Sequence, residues 1–300
     1  MENYDFIGDI HGHADELESL LKKLGYQKGD EGYYHPEGRK VIFLGDYIDR
    51  GPKIRETLHI VKTMVDNGNA EAIMGNHEFN AVCFHTPDME RGGFFRAHTI
   101  KEIKQHFQTL EQFAQFPEEW ERYLNWFKTL PIFIEKEQFR CIHACWENEK
   151  IDWVRSKYHG LNESLLKAYA HEESPVFEII ETLLKGVESL LPNGKFFVDK
   201  DGTKREMCRV KWWQPKNQRL VYEDVLQECP EDLKNEQVKE ELLYYSEDKF
   251  VFFGHYWLKG TPKHHPESKA ICLDYSVAKG GLLVAFRGSF KDNIENGFVY

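Results

Sequence analysis

The sequence predicts an α/β protein with a β-sheet core, flanking helices and a mixed cap insertion. It reads as a single domain over residues 1–300, with the insertion at about 151–245. Three observations predict this. Short apolar strands alternate with helix-spaced apolar residues as far as Met74. Strand-like segments return after the insertion. Five strand ends run into residues of metal-ligand type, as expected where loops at the carboxyl ends of strands build a site. With 41% hydrophobic residues, 300 residues can bury a sizeable core.

The elements follow in order. Tyr4 to Ile7 is a short apolar strand ending in Gly8-Asp9. Leu17, Leu20, Leu21 and Leu24 have helical spacing, so 14–24 predicts a helix. Residues 41–44 form a second buried strand ending in Gly45-Asp46. Residues 54–65 predict a helix with Ile54, Leu58, Val61 and Val65 inward. Residues 72–74 make a third strand, giving a βαβαβ pattern and an open sheet with helices on its faces. A helical stretch covers roughly 99–130, and its aromatics (Phe107, Phe113, Phe116, Trp120, Tyr123, Trp126, Phe127) read as core. Residues 132–134 and 140–142 pair as a hairpin. Residues 151–191 read as mostly helical and polar. Residues 195–213 predict a hairpin turned at Asp201-Gly202, and 230–245 an acidic helix. Strands return at 250–253, 270–273 and 282–286.

Composition excludes several classes. Fifty acidic against 39 basic residues give a formal charge of -11. That disfavours a protein gripping long nucleic acid or anionic lipid, both of which need a basic face. It does not exclude an anionic substrate, because bound metal ions would reverse the local potential. No apolar run approaches a membrane span, and the N-terminus has no signal-peptide pattern. The six cysteines form no Cys-x-x-Cys pair, so reduced core thiols and a cytoplasmic setting are expected.

The polar residues at the strand ends carry the chemistry. They are Asp9 and His11, Gly45-Asp46-Tyr47-Ile48-Asp49-Arg50-Gly51, Gly75-Asn76-His77-Glu78, His143, and Gly254-His255. Singly, each has an ordinary explanation: an Asp after a strand caps a helix, and a lone His is usually a satisfied core or surface group. Their repetition at successive strand ends argues for one site. Carboxylate, imidazole and amide oxygen together suit Mn, Fe or Zn.

Asp9-x-His11, Gly45-Asp46-x-x-Asp49-Arg50-Gly51 and Gly75-Asn76-His77-Glu78 resemble the signature blocks of calcineurin-like metallophosphoesterases. More narrowly, they resemble the phosphoprotein-phosphatase branch, which holds serine/threonine phosphatases and bacterial symmetrical diadenosine tetraphosphatases. The resemblance is close over 5–80 and returns at His143-Ala144, Gly254-His255 and from Leu273-Asp274 through Gly280-Gly281. It implies the calcineurin-like fold and two divalent ions, first of all Mn. Asp9, His11 and Asp46 would hold one ion, and Asp46 would bridge to a second completed by Asn76, His143 and His255. Such a pair, roughly 3.5–4 Å apart, activates a hydroxide and clamps phosphate oxygens. The resemblance also makes His77 the general acid, oriented by Asp49, and Arg50 a phosphate contact. A second cationic contact is expected from the cap, with Arg209 preferred over Lys185 and Lys211. Trp212, Trp213 and Tyr256 read as packing. His35, His59, His85, His98, His106, His159, His171, His264 and His265 read as surface or structural, His13 takes no role, and the acidic run 223–241 reads as a solvated face.

The expected activity is metal-dependent phosphoester hydrolysis, of a serine/threonine type by the Gly-Asp-x-x-Asp-Arg-Gly block. The alternatives are a dinucleoside polyphosphate hydrolase, favoured by the tail from Phe253 to Gly281, and a nucleotide phosphodiesterase. A ligand-losing binding scaffold is the remaining class. The partners would be a phosphorylated small molecule, a nucleotide or a phosphoprotein.

Overall fold

A computed structural model describes residues 3–157, 160–198, 202–215, 220–239, 241–288 and 297–300. Asp201 and His159 lie outside the described residues. Two sheets form the centre. The first has the strand Tyr4–Ile7 in the middle, parallel to Lys40–Phe43, which is parallel to Ala70–Ala72. Ala285–Arg287 joins its other side antiparallel and is followed at the edge by Phe298–Val299. The second sheet has Phe250–Phe253 between Ala270–Cys272 and Phe139–Ile142, both parallel to it, with Phe133–Glu135 closing the hairpin expected there.

The single open sheet implied by the βαβαβ pattern is therefore half of the core. The two sheets pack face to face through Phe6, Ile42, Leu44, Ile73, Phe139, Cys141, Phe252, Ile271 and Phe286. The rings of Phe6 and Phe252 stack at 3.8 Å. The inner strands are buried on both faces, which is why Lys40–Phe43, Phe250–Phe253 and Ala270–Cys272 are almost wholly apolar. Helices cover the outer faces. Ala14–Lys23 and Ile54–Asp66 pack Leu17, Leu21, Leu58 and Val61 onto the first sheet. Asn148–Lys157 and Pro175–Lys185 pack Ile151, Ile179 and Leu183 onto the second.

Several expectations need correction. The third strand ends at Ala72, two residues before Met74. The helical stretch 99–130 is two helices, Ile100–Phe113 and Pro117–Phe127, because Pro117 cannot continue a helix and starts a new one. Phe107 and Phe116 are exposed there, at 49% and 40%, so they are not core. The helix Pro175–Lys185 is apolar and buried rather than polar. Residues 195–213 are not one hairpin: Phe197–Val198 pairs with Lys204–Arg205, and Met207–Arg209 pairs instead with Glu188–Leu190. The helix expected over 230–245 is not found in its described residues, 230–239 and 241–245. Pro230 starts a turn, and Val238 donates its N–H to Leu220 in an extended contact. This part of the chain has a small core of its own, made of Leu191, Cys208, Tyr222, Val225, Leu226 and Leu233. Among the described residues no helix is long and apolar enough to cross a membrane.

Candidate metal centre

The strand ends converge in the folded chain. Eight non-glycine residues have positive φ among the described residues, and His11, Asp46, Asp49, Arg50, His255 and Trp257 are six of them. Left-handed backbone at such residues costs roughly 1–3 kcal/mol each and persists where the surroundings enforce it. Its concentration here marks the site before any chemistry is considered. Glycines permit the crowding. A Cβ on Gly75 would lie 2.3 Å from the Asp46 side chain, and one on Gly254 would lie 1.9 Å from Asp9 Oδ1.

Glu78 organises the loop that carries Asp46. Its Oε2 accepts from the N–H groups of Asp46 (2.9 Å) and Gly75 (3.0 Å), and its Oε1 from Tyr47 (2.8 Å) and Ile48 (3.3 Å). Burial, then the nearby Asp46, pushes its carboxyl up to about 7. All four contacts are donors, however, and the ionised form serves them best. The motif reading quoted Glu78 but gave it no role. Its position two residues after Asn76 in a helix first turn was the available signal.

The imidazoles are oriented by backbone carbonyls. His11 Nδ1 lies 2.9 Å from Ile48 O, and His143 Nδ1 lies 2.8 Å from Leu44 O. Each Nδ1 must donate there, which turns Nε2 of the neutral ring inward as an acceptor. His11 Nε2 is 3.5 Å from Asp46 Oδ2. His143 Nε2 is 3.0 Å from Asn76 Oδ1 and 3.4 Å from Asp46 Oδ1. Among the described residues, the buried Nε2 atoms of His11 and His255 have no hydrogen-bond partner. Lone pairs therefore meet lone pairs, an arrangement that calls for a cation between them. Burial lowers His11 to about 3 and holds His255 well below its usual range, so protons do not supply that charge at those rings. Burial also opposes ionisation of Asp46, yet His143 and His77 beside it keep its carboxyl low. The donor set thus fits divalent metal ions.

Two groups of atoms lie within 4.8 Å of one another: His11, Asp46 and His77, and Asp46, His143 and His255. Asp46 belongs to both, as expected of a bridging carboxylate. Asp9 belongs to neither. Its two oxygens accept from the His255 N–H at 3.0 and 3.2 Å, which ties the first strand end to the last. Burial, then Asp274 and Asp46, raises its carboxyl well above the usual range.

His77 Nδ1 lies 2.5 Å from Asp49 Oδ2, so the expected pair is formed. Burial disfavours the charged ring, but Asp46 and the bond to Asp49 outweigh it and leave His77 raised. Its Nε2 stands 3.9 Å from Asp46 Oδ2, at the edge of the ligand cluster. Asp49 Oδ1 is taken by His106 Nδ1 at 2.8 Å and by the Thr109 hydroxyl. His106 and His85 are therefore part of this network and not incidental histidines.

Of the cap cations, Lys185 is paired with Glu181 and contacts Tyr169. Lys211 gives its Nζ to Glu223 O at 2.8 Å. Arg209 is half-buried, its Nε has no hydrogen-bond partner, and its charge helps hold His255 down. Trp212 donates to Ala144 O and packs, as expected. Sequence reasoning passed over Trp257. Its ring stacks near His11 at 5.5 Å, with Arg50 4.6 Å and Lys279 3.7 Å from its centroid. His13 bonds only its own turn, at Ile10 O and His11 O.

A family model described as calcineurin-like phosphoesterase matches residues 3–256. The chain belongs to the calcineurin-like phosphoesterase family. Within it, the chain is similar to the bis(5'-nucleosyl)-tetraphosphatase PrpE (asymmetrical) of Halalkalibacterium halodurans, 46% identical over 74 residues, covering 25% of this chain and 30% of that protein. The same protein of Bacillus subtilis is 43% identical over 74 residues, with the same coverage. The matched segment thus spans under a third of these relatives. A protein serine/threonine phosphatase from Saccharomyces cerevisiae superposes with a TM-score of 0.52 at 13% identity, covering 99% of this chain and 78% of that one. That likeness concerns the calcineurin-like fold alone.

Proposed function

We propose that the chain hydrolyses phosphate esters using two divalent ions, first of all Mn with Fe or Zn as alternatives, and that its substrate is of the serine/threonine phosphoester type. The observation that carries this reading is the convergence of acceptor atoms from His11, Asp46, Asn76, His143 and His255 beside the His77–Asp49 pair. Asp9 would complete the ligand set from behind His255. When bound, the ions would polarise phosphate oxygens and activate a water. The chain's own residues do the rest. Arg50 binds phosphate oxygens through its planar fork, and Arg209 approaches from the insertion, which we take as a cap on a single domain. His77 hands a proton from Nε2 to the departing oxygen, while Asp49 holds Nδ1 and so fixes the ring. An inactive scaffold is disfavoured because every ligand position is filled. The cytoplasmic setting is part of the same proposal, on the reading that the buried Cys83, Cys141, Cys145, Cys208 and Cys272 are core thiols.

A second reading, dinucleoside polyphosphate hydrolysis, is favoured by the two cations on Trp257. Arg50 and Lys279 beside one ring next to His11 suit a chain of phosphates with a base at its end. The tetraphosphatase relatives point the same way over their matched segment. The test offers the Mn-loaded protein a phosphoserine peptide, diadenosine tetraphosphate and a 2′,3′-cyclic nucleotide and identifies the products. Phosphate released from the peptide fastest supports the first reading. Preferred cleavage of the dinucleotide replaces it with the second, and no turnover on any of the three refutes both.

A further inference from the structure

We propose that His106 is a positioning residue for the Asp49–His77 pair, its Nδ1 hydrogen fixing the Asp49 carboxylate through the oxygen that His77 does not use; this rests on His77 acting as the proton donor. His106 lies on the helix Ile100–Phe113, remote in sequence from every strand end, and is 5% exposed. The hydrogen-bond pattern fixes which ring nitrogen faces Asp49 with a hydrogen. The Trp120 indole Nε1, which only donates, lies 3.1 Å from His85 Nε2 and uses its lone pair. His106 Nε2 lies 3.2 Å from the same nitrogen, so the two rings and the indole are packed edge to edge. On its other side, His106 Nδ1 lies 2.8 Å from Asp49 Oδ1, and a carboxylate oxygen needs a hydrogen from its partner. Nδ1 of His106 therefore carries a hydrogen and donates it to Asp49.

The surroundings agree. A buried carboxylate requires hydrogen-bond donors, and His106 supplies one to Asp49. The other charged or titratable groups facing the ring are His77, His85, His98, Arg96 and Glu102, and the last two pair with each other. Burial, with His106 and His98 nearby, lowers His85 to about 4, so it stays a neutral acceptor.

The consequence for the site is geometric. Asp49 Oδ1 is filled by His106 and by the Thr109 hydroxyl, and the Asp49 N–H donates back to Thr109 Oγ1 at 3.1 Å. Only Oδ2 is left for His77, which it meets at 2.5 Å. The carboxylate cannot rotate without breaking the His106 bond, so His77 has one ring orientation, with Nε2 toward the ligand cluster.

The test combines a spectrum and kinetics. Histidine-selective 15N labelling of the Zn-loaded protein, read by two-bond proton–nitrogen correlations, reports protonation of each ring nitrogen. We expect a hydrogen on His106 Nδ1, held in its bond to Asp49. His106→Leu should slow phenyl phosphate, a poor leaving group, roughly tenfold, a fraction of the general-acid contribution of about 10²–10⁴. It should slow p-nitrophenyl phosphate far less and leave KM for both close to the parent value. His106→Asn, whose amide takes the place of Nδ1 and still donates to Asp49, should recover most of the loss. A His106 ring with no hydrogen on Nδ1 overturns the assignment, as does equal loss on both esters. Should His106→Leu fail to fold, His106→Asn and the spectrum of the unsubstituted protein decide. Equal slowing of both esters by His77→Ala would remove the proton-donor role, and the His106 spectrum would still stand or fall separately.

Discussion

Glu78 offers the sharpest link between folding and the site. Replacing it with Gln keeps volume and shape but exchanges one acceptor oxygen for an NH₂ group. Each carboxylate oxygen now serves two backbone N–H groups: Oε2 those of Asp46 and Gly75, Oε1 those of Tyr47 and Ile48. Whichever way the amide lies, one pair of buried donors faces another donor. Leaving a buried donor unsatisfied costs about 1–3 kcal/mol, so two give about 2–6 kcal/mol before relaxation. We expect Glu78→Gln to lower unfolding free energy by about 3 kcal/mol, read by urea denaturation of the metal-free protein. The same loop aims Asp46, so metal affinity should fall in parallel, read by competition against a chromogenic chelator. A Glu78→Gln protein as stable as the parent, with unchanged metal affinity, would refute the claim that this carboxylate builds the loop.

Further predictions follow from the same geometry. If Arg209 binds phosphate as proposed, Arg209→Ala should raise KM and weaken inhibition by inorganic phosphate, and unchanged phosphate inhibition would contradict the contact. Arg50→Ala should do the same while removing one cation from Trp257. Lys279→Ala should cost diadenosine tetraphosphate hydrolysis far more than p-nitrophenyl phosphate hydrolysis, read as the ratio of kcat/KM values; an equal effect would count against the polyphosphate reading. Chelation should abolish turnover and lower Tm, since the ions bind the folded site alone, and restored Mn should recover both.

The fold and the ligand set were legible to different depths. The strand ends were readable because Asp9, Asp46, Asn76 and His255 each follow an apolar run and a glycine, a local signal that survives without tertiary knowledge. The pairing of sheets was not: Phe6 and Phe252 stack although nothing in either neighbourhood names the other. The break at Pro117 was readable in principle, whereas the non-helical course of 230–239 was set by contacts such as Val238 with Leu220 that composition does not encode. Arg209 was singled out by its place on a strand, and the fold leaves it beside His255. His106, Lys279 and Trp257 were missed because their chemistry depends on partners far along the chain: Asp49 lies 57 residues before His106. Single histidines on helices have no sequence signature, and only the hydrogen-bond geometry separates His106 from one that merely packs.

The central claim is that the strand-end residues hold two ions with Asp46 shared between them. The most direct test counts bound metal by elemental analysis after equilibration with Mn, alongside anomalous diffraction from the loaded crystal. The account predicts two ions per chain, one beside His11 and one beside His143 and His255, and the loss of both sites in Asp46→Asn. A single ion, or two ions neither of which touches Asp46, would contradict it.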